Sequence, residues 1–315
     1  MDSILFRTWL VGVQSLTSLQ RSKLKQSLGD RPVADEDACA WIDQRAQQVL
    51  ACPHCAAAHV QRWGRTSGVQ RYRCCVCHRT FSALTGTPLS GLKRRDAWAR
   101  YAQALIDGVS VRKAAQQAHI HRTTSFRWRH RMLEPLAQEQ ETELQGVVEA
   151  DETYFRASYK GRRDLMRRAR RRGGPVPQKE RGTELIPVLV VEDRQGHHFD
   201  AVLEKADKPT MTCLLGQVLA PDAVLCTDGA AVYRAVSRRF AFVHRRINLS
   251  AGKRVCYRAF HIQHVNAYHS RLKNWMTHFN GVATRYLPHY LGWRRMLERF
   301  STSLTPKLGL QHAMR

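Results

Sequence analysis

Residues 146–300 set the strongest limit on what this chain can fold into. Four short runs, at 146–155, 185–193, 198–203 and 223–227, have the length and apolar content of strands. A helical pattern at 210–219 separates the third run from the fourth, and a longer one covers 265–279. Three strands, a helix, a strand and a late helix predict a mixed α/β sheet with helices packed on it.

Two of these runs deliver a carboxylate at or near their C-terminal ends. The first reads Gly146-Val-Val-Glu-Ala-Asp151-Glu-Thr-Tyr-Phe155, the second Ala223-Val-Leu-Cys-Thr-Asp228-Gly. Carboxylates are the hard oxygen donors that Mg²⁺ takes, and two such ions roughly 4 Å apart stabilise both the attacking and the leaving oxygen of a phosphodiester displacement. Either aspartate alone has an ordinary reading: Asp151 as a cap on a loop, Asp228 as half of an Asp-Gly turn.

The charge supplies the substrate class. Across 315 residues there are 51 Lys and Arg against 26 Asp and Glu, a net charge of +25. That balance points to a polyanion, nucleic acid first. Bases concentrate in 156–182, where eleven stand against two acids and include Arg168 and Arg171. No apolar stretch approaches the roughly 18 residues of a spanning helix, so no membrane partner is expected. The N-terminus begins acidic and shows no small-residue cleavage site, which reads as an accessory helix rather than a secretion signal.

Nine cysteines, an odd and clustered set, fit a reducing compartment with one metal site better than a disulfide framework. Cys52-Pro-His-Cys55 and Cys74-Cys-Val-Cys77 form two CxxC knuckles, the spacing that brings four thiolates around a structural Zn²⁺. Cys75 would break that spacing and is expected to be a bystander. Residues 1–50 read as a helical leader, 51–92 as the zinc ribbon, and 301–315 as a tail. Residues 93–137 show helical periodicity interrupted at Gly108 and at His119-Ile-His121. This segment is either a helix-turn-helix or a plain bundle with a basic face. In the first case Arg122, Thr124, Arg127 and Arg129 of its last helix are available to DNA.

The order of these parts resembles a family. A CxxC…CxxC ribbon, a helical segment, Val147-Val-Glu-Ala-Asp151-Glu-Thr-Tyr154, Thr227-Asp-Gly229 and then His264-Val-Asn266-Ala-Tyr-His269-Ser-Arg271-Leu-Lys273-Asn-Trp275 are similar to bacterial insertion-sequence transposases. Those proteins join a zinc ribbon to a DDE-type catalytic domain. The resemblance implies an RNase H-like fold over 146–300 and a DNA transposase that uses Mg²⁺ or Mn²⁺. It also implies double-stranded DNA partners (transposon ends and target), a homo-oligomer on DNA, and a cytoplasmic, nucleoid-associated location. One departure stands out: the 265–279 helix has no Asp or Glu where such enzymes carry a third acid. A subgroup places Asn there with Lys seven residues on, which Asn266 and Lys273 match, two helical turns apart on one face. His269, one turn from Asn266, competes for the third ligand position or serves as a proton donor.

Two further functions share these residues. The chain could be a DNA-binding regulator with a non-catalytic RNase H-like domain, or a stand-alone metal-dependent nuclease.

Overall fold

A computed structural model describes residues 38–48, 51–141, 143–165, 184–248, 251, 252, 254–257 and 259–314. Most of the 1–50 leader lies outside these residues, as does most of the basic 156–182 segment, including Arg168 and Arg171. Of the leader, α1 (Ala38–Gln48) is described. The chain divides into two compact units. One holds the described residues up to Ala83 together with Lys93–Arg100, the other Leu84–Leu92 with Tyr101 onward. Among the described residues no helix is long and apolar enough to cross a membrane.

The first unit contains a three-stranded antiparallel sheet, β1 (Val60–Thr66), β2 (Val69–Cys74) and β3 (Thr80–Ser82), in that order. Its core is small: Tyr72 stacks on Phe81 beside Cys52 and Cys74. So little apolar burial cannot by itself offset the entropy of ordering the chain. On the outer side Arg73 lies over the exposed Trp63 ring, 4.7 Å from its centroid, a surface cation–π pair.

The second unit is built on a five-stranded mixed sheet, ordered β6-β5-β4-β7-β8. β4 (Val147–Arg156), β5 (Leu185–Asp193) and β6 (His198–Val202) form an antiparallel meander. After α5 (Lys208–Val218), β7 (Val224–Thr227) runs parallel to β4. α6 (Ala231–Phe240) then leads to β8 (Val243–Arg246), parallel to β7. This is the RNase H-like mixed sheet that the sequence leads one to expect, with one strand and one helix added. β8, Val-His-Arg-Arg, carries no apolar run because it is an exposed edge strand. Such a strand has little need of one.

β5 is buried on both faces, and its alternate residues serve two cores. Leu189 and Val191 face α5 and α6 through Met211, Leu215, Tyr233 and Val236. Val188 and Val190 face α7 (Gln263–Thr277) and α8 (Leu287–Phe300) through Val265, Tyr268, Leu272 and Leu291. A last helix, α9 (Pro306–His312), follows where only a tail was expected.

The 93–137 segment forms α2 (Trp98–Ile106), α3 (Val111–Gln117) and α4 (Arg122–Gln138). Ser110 caps α3 by accepting from the Lys113 amide, and His121 caps α4 by accepting from Thr123. The Ser125 hydroxyl closes the turn by donating to the Val111 carbonyl at 2.8 Å. α4 runs on through Pro135, and its C-terminal carbonyls at Leu136 and Glu139 accept from Arg295 of α8. Arg295 also pairs with buried Asp200 of β6. Gly292 of α8 sits so close to α4 that a Cβ there would stand 2.2 Å from the Leu136 carbonyl oxygen. From Tyr101 onward the segment is therefore packed along α8, with Trp293 donating to the Leu105 carbonyl at 2.9 Å.

Candidate metal-dependent active site

The parallel pairing of β4 with β7 matches Val147 to Val224, Val148 to Leu225 and Glu149 to Cys226. Two residues beyond the last pair on each strand stand Asp151 and Asp228. Register alone thus puts the two carboxylates side by side where β7 ends. Asp151 does not end its own strand, because β4 continues to Arg156 as a hairpin with β5. It is set where the parallel neighbour stops and leaves a gap above the sheet, the place where open α/β sheets bind ligands.

Asp228 is exposed and follows β7 directly. Its Oδ1 accepts from the Ala230 amide at 2.9 Å, and Thr227 Oγ1 accepts from the Gly229 amide at 3.0 Å. Gly229 has φ +83°, and Arg246 side-chain carbons would collide with any Cβ there. The Asp-Gly turn and the site carboxylate are therefore the same feature: the turn fixes one oxygen of Asp228 and leaves the other for a ligand.

Asp151 shares the α7 face of β4 with Glu149, as alternate strand residues do. Burial first, then the neighbouring charges of Glu152 and Asp228, push its carboxyl up to about 7. Glu152, on the opposite face beside Tyr233, is also raised, chiefly by burial. Three carboxylates crowded this way repel one another, and a divalent cation between Asp151 and Asp228 would relieve that repulsion. The donor set of paired, accessible, hard oxygens fits Mg²⁺ or Mn²⁺.

From α7, His269 faces this pair, with Nδ1 3.9 Å from Asp151 Oδ2. Burial, with Lys273 and His198 nearby, holds its pKa down at about 4, so it stands neutral beside the carboxylate. The positive charge of Lys273 also acts on Asp151. Asn266 lies one turn before His269, exposed on α7. Its amide N–H donates to the Ile262 carbonyl in the helix's first turn. Among the residues expected from sequence, Asp151, Asp228, His269 and Lys273 act on one another, while the exposed Asn266 side chain forms no hydrogen bond with them among the described residues.

Sequence reading missed Glu149. Its carboxylate is fully buried, and Oε2 accepts the amides of His264 at 2.9 Å and Val265 at 3.3 Å. The residue before α7, Ile262, has no side chain that can cap. Glu149 performs the capping from β4 instead, satisfying orphan amides and complementing the helix dipole. Arg194 pairs with Glu149 Oε1 at 2.9 Å. His261 and His264 also approach Oε1, and with Glu149 they have metal-ligand spacing. The Arg194 guanidinium fills that space, 3.0 Å from His261 Nε2 and 2.9 Å from His264 Nδ1.

In the ribbon the sulfurs of Cys52, Cys55, Cys74 and Cys77 all lie within 4.8 Å of one another. The Cys52–Cys77 and Cys55–Cys74 separations are 3.6 Å. Four thiolates bound tetrahedrally at about 2.3 Å from zinc stand roughly 3.8 Å apart, so the group can hold that ion. Cys75 lies outside it. With zinc on that group, a chelator or Cys74→Ser is expected to unfold the ribbon selectively, since metal binding would supply the stability its core lacks. Limited proteolysis alongside zinc content checks this; a ribbon equally protected without zinc would refute it.

The expected DNA contacts divide. Arg122 and Arg127 are exposed and Thr124 is half-buried. Arg129 is a correction: it is fully buried, donates to the Val109 carbonyl at 2.7 Å, and lies 4.9 Å over the Trp293 ring. It sits on the same α4 stripe as Trp128, Met132, Leu133 and Leu136, and that spacing was the signal for its burial. Among the later arginines, Arg295 is buried in the ion pair with Asp200 and Arg294 pairs with Glu298, while Arg285 is exposed.

Residues 143–294 match the family model of the ISXO2-like transposase domain, a span that contains every residue of the carboxylate site. An uncharacterized protein in transposable element ISH50 of Halobacterium salinarum is 29% identical over 265 residues, covering 79% of this chain and 88% of its own. A chain from the crystal structure of a pre-cleavage Mos1 transpososome aligns with a TM-score of 0.21 and 12% identity, over 68% of this chain and 78% of that one. The resemblance to insertion-sequence transposases is thereby borne out.

Proposed function

We propose that this chain, whose residues 143–294 match the model of the ISXO2-like transposase domain, is the DNA transposase of an insertion sequence. The observation that carries the reading is the pairing of Asp151 with Asp228 by strand register, facing a helix that presents His269 and Lys273. The ribbon and the α2–α4 segment bind the terminal inverted repeats, with Arg122, Thr124 and Arg127 toward the DNA. Zinc on the four cysteines holds the ribbon.

In the second unit Asp151 and Asp228 would hold Mg²⁺ or Mn²⁺, and the Asn266 carbonyl would serve as a third, uncharged ligand. Such ions, when bound, stabilise the attacking and leaving oxygens of an in-line displacement. His269, kept neutral by burial, stands beside the Asp151 carboxylate and adds no positive charge to repel the cation. Lys273 holds a phosphate near the scissile bond. Water first cleaves at the 3′ end of the element. The freed 3′-OH then attacks a target phosphodiester, forming one P–O bond as the target's own 3′ oxygen leaves. Two ends must be held at once, so the working form is a homo-oligomer on DNA, cytoplasmic and nucleoid-associated.

The test is a strand-transfer assay on duplexes carrying the inverted repeats that border the reading frame. With Mg²⁺ the purified chain should nick at the 3′ ends and join them to a target, and chelation should stop both. The absence of any acid from α7 favours a second reading, a regulator; specific binding with no nicking would support it. Nicking without joining would make the chain a nuclease.

A further inference from the structure

Away from the carboxylate site, the second unit holds a cavity of about 740 Å³, a volume typical of ligand sites. It opens between the starts of α3 and α4, the loop after β4 and the turn leading into α8. The lining includes Arg112, Arg122, Arg129, Lys160 and Arg285, and it contains no Asp or Glu. Lys160 is held at the rim by donating to the Gly281 carbonyl at 3.0 Å, and the Arg285 guanidinium lies 4.8 Å over the Tyr286 ring. Beneath them, fully buried Arg129 has no acceptor for Nε or Nη1, and among the described residues no carboxylate pairs with it. A buried, unpaired guanidinium under a cationic rim makes a strongly anion-attracting pocket.

The cavity also has an aromatic wall. Phe126 is 40% exposed although it projects from a packed helix. Its ring is braced edge-to-face by His130, with centroids 4.5 Å apart, and by Tyr286 at 5.7 Å. His130 in turn stacks on Tyr286 at 3.6 Å. A rigid, exposed ring amid cations is the combination that takes a base face and its flanking phosphates. Bases within a duplex have both faces covered by their neighbours, so such a ring selects an unpaired or extruded base.

We propose that this cavity binds an unpaired DNA nucleotide, its base stacked on Phe126 and its flanking phosphates on Arg112, Arg122 and Arg285. The proposal rests on the reading of the chain as a DNA transposase and adds a strand-reading site to it. Fluorescence anisotropy at fixed salt, with the full chain and end duplexes either blunt or carrying a short single-stranded extension, provides the test. Wild-type protein should bind the extended duplex about tenfold more tightly, the size of one base–aromatic stack. Phe126→Ala and Phe126→Leu should both lose that preference yet bind the blunt duplex as before, and Phe126→Trp should keep it. Arg122→Ala should weaken binding to both duplexes and flatten the salt dependence. Equal binding of the two duplexes by wild-type protein, or a preference that survives in Phe126→Ala, overturns this site alone. Failure to bind DNA in any form overturns the transposase reading and this site with it.

Discussion

Asp228→Ala is expected to reduce 3′-end cleavage and strand transfer by about a thousandfold or more, while DNA binding persists. Losing one of two carboxylate ligands removes several kcal/mol of transition-state stabilisation, and each ~1.4 kcal/mol is tenfold in rate. Alanine also removes the acceptor for the Ala230 amide, and losing such a turn hydrogen bond costs about 1 kcal/mol of stability. Asp228→Asn separates the two effects. It keeps a side-chain oxygen for the turn and should unfold close to wild type, but it lacks the anionic donor and should be as inactive as alanine. Cleavage and joining assays run beside thermal melts distinguish them; full activity in either variant would remove Asp228 from the metal site. Asp151→Asn should behave the same way in the assay, because its partnership with Asp228 is set by strand register and not by any turn of its own.

Glu149→Ala should destabilise the second unit by about 3–5 kcal/mol, the range for removing one partner of a buried ion pair. The loss has two parts. Arg194 is left facing His261 and His264 without its counter-charge, and the His264 and Val265 amides lose their acceptor at the start of α7. Glu149→Gln keeps an acceptor for the amides and should recover part of the loss, but not the charge opposite Arg194. Denaturant midpoints of the three proteins measure this. An alanine variant that unfolds at the wild-type midpoint would show that α7 does not depend on this cap. Since α7 carries Asn266, His269 and Lys273, loosening its first turn should also lower activity at temperatures where the variant remains folded.

Much of this arrangement was legible because its signals are local. A strand's apolar run, two knuckles at CxxC spacing and a helix with Asn266, His269 and Lys273 at i, i+3 and i+7 each declare themselves within one segment. The elements that went unread lack such a signal or share it with another. β8 is a basic edge strand, and the stripe of α6 at Tyr233, Val236 and Phe240 lies in a helix of only ten residues interrupted by three arginines. The exposed and buried arginines of α4 have the same side chain. The spacing that puts Arg129 beside Met132 and Leu133 was present, but what tolerates the charge there is the Trp293 ring and the Val109 carbonyl, both from other elements.

The sequence by itself determined which residue types were on hand: two aspartates on separate strand signals, four thiols, and a late helix without acids. Tertiary structure alone decided which of them meet. Parallel register brings Asp151 level with Asp228, and packing of α7 against β4 turns His269 toward Asp151. The same packing makes Glu149 a helix cap. Strand register and helix docking are fixed by burial summed over a whole sheet face, a long-range quantity that no single segment carries.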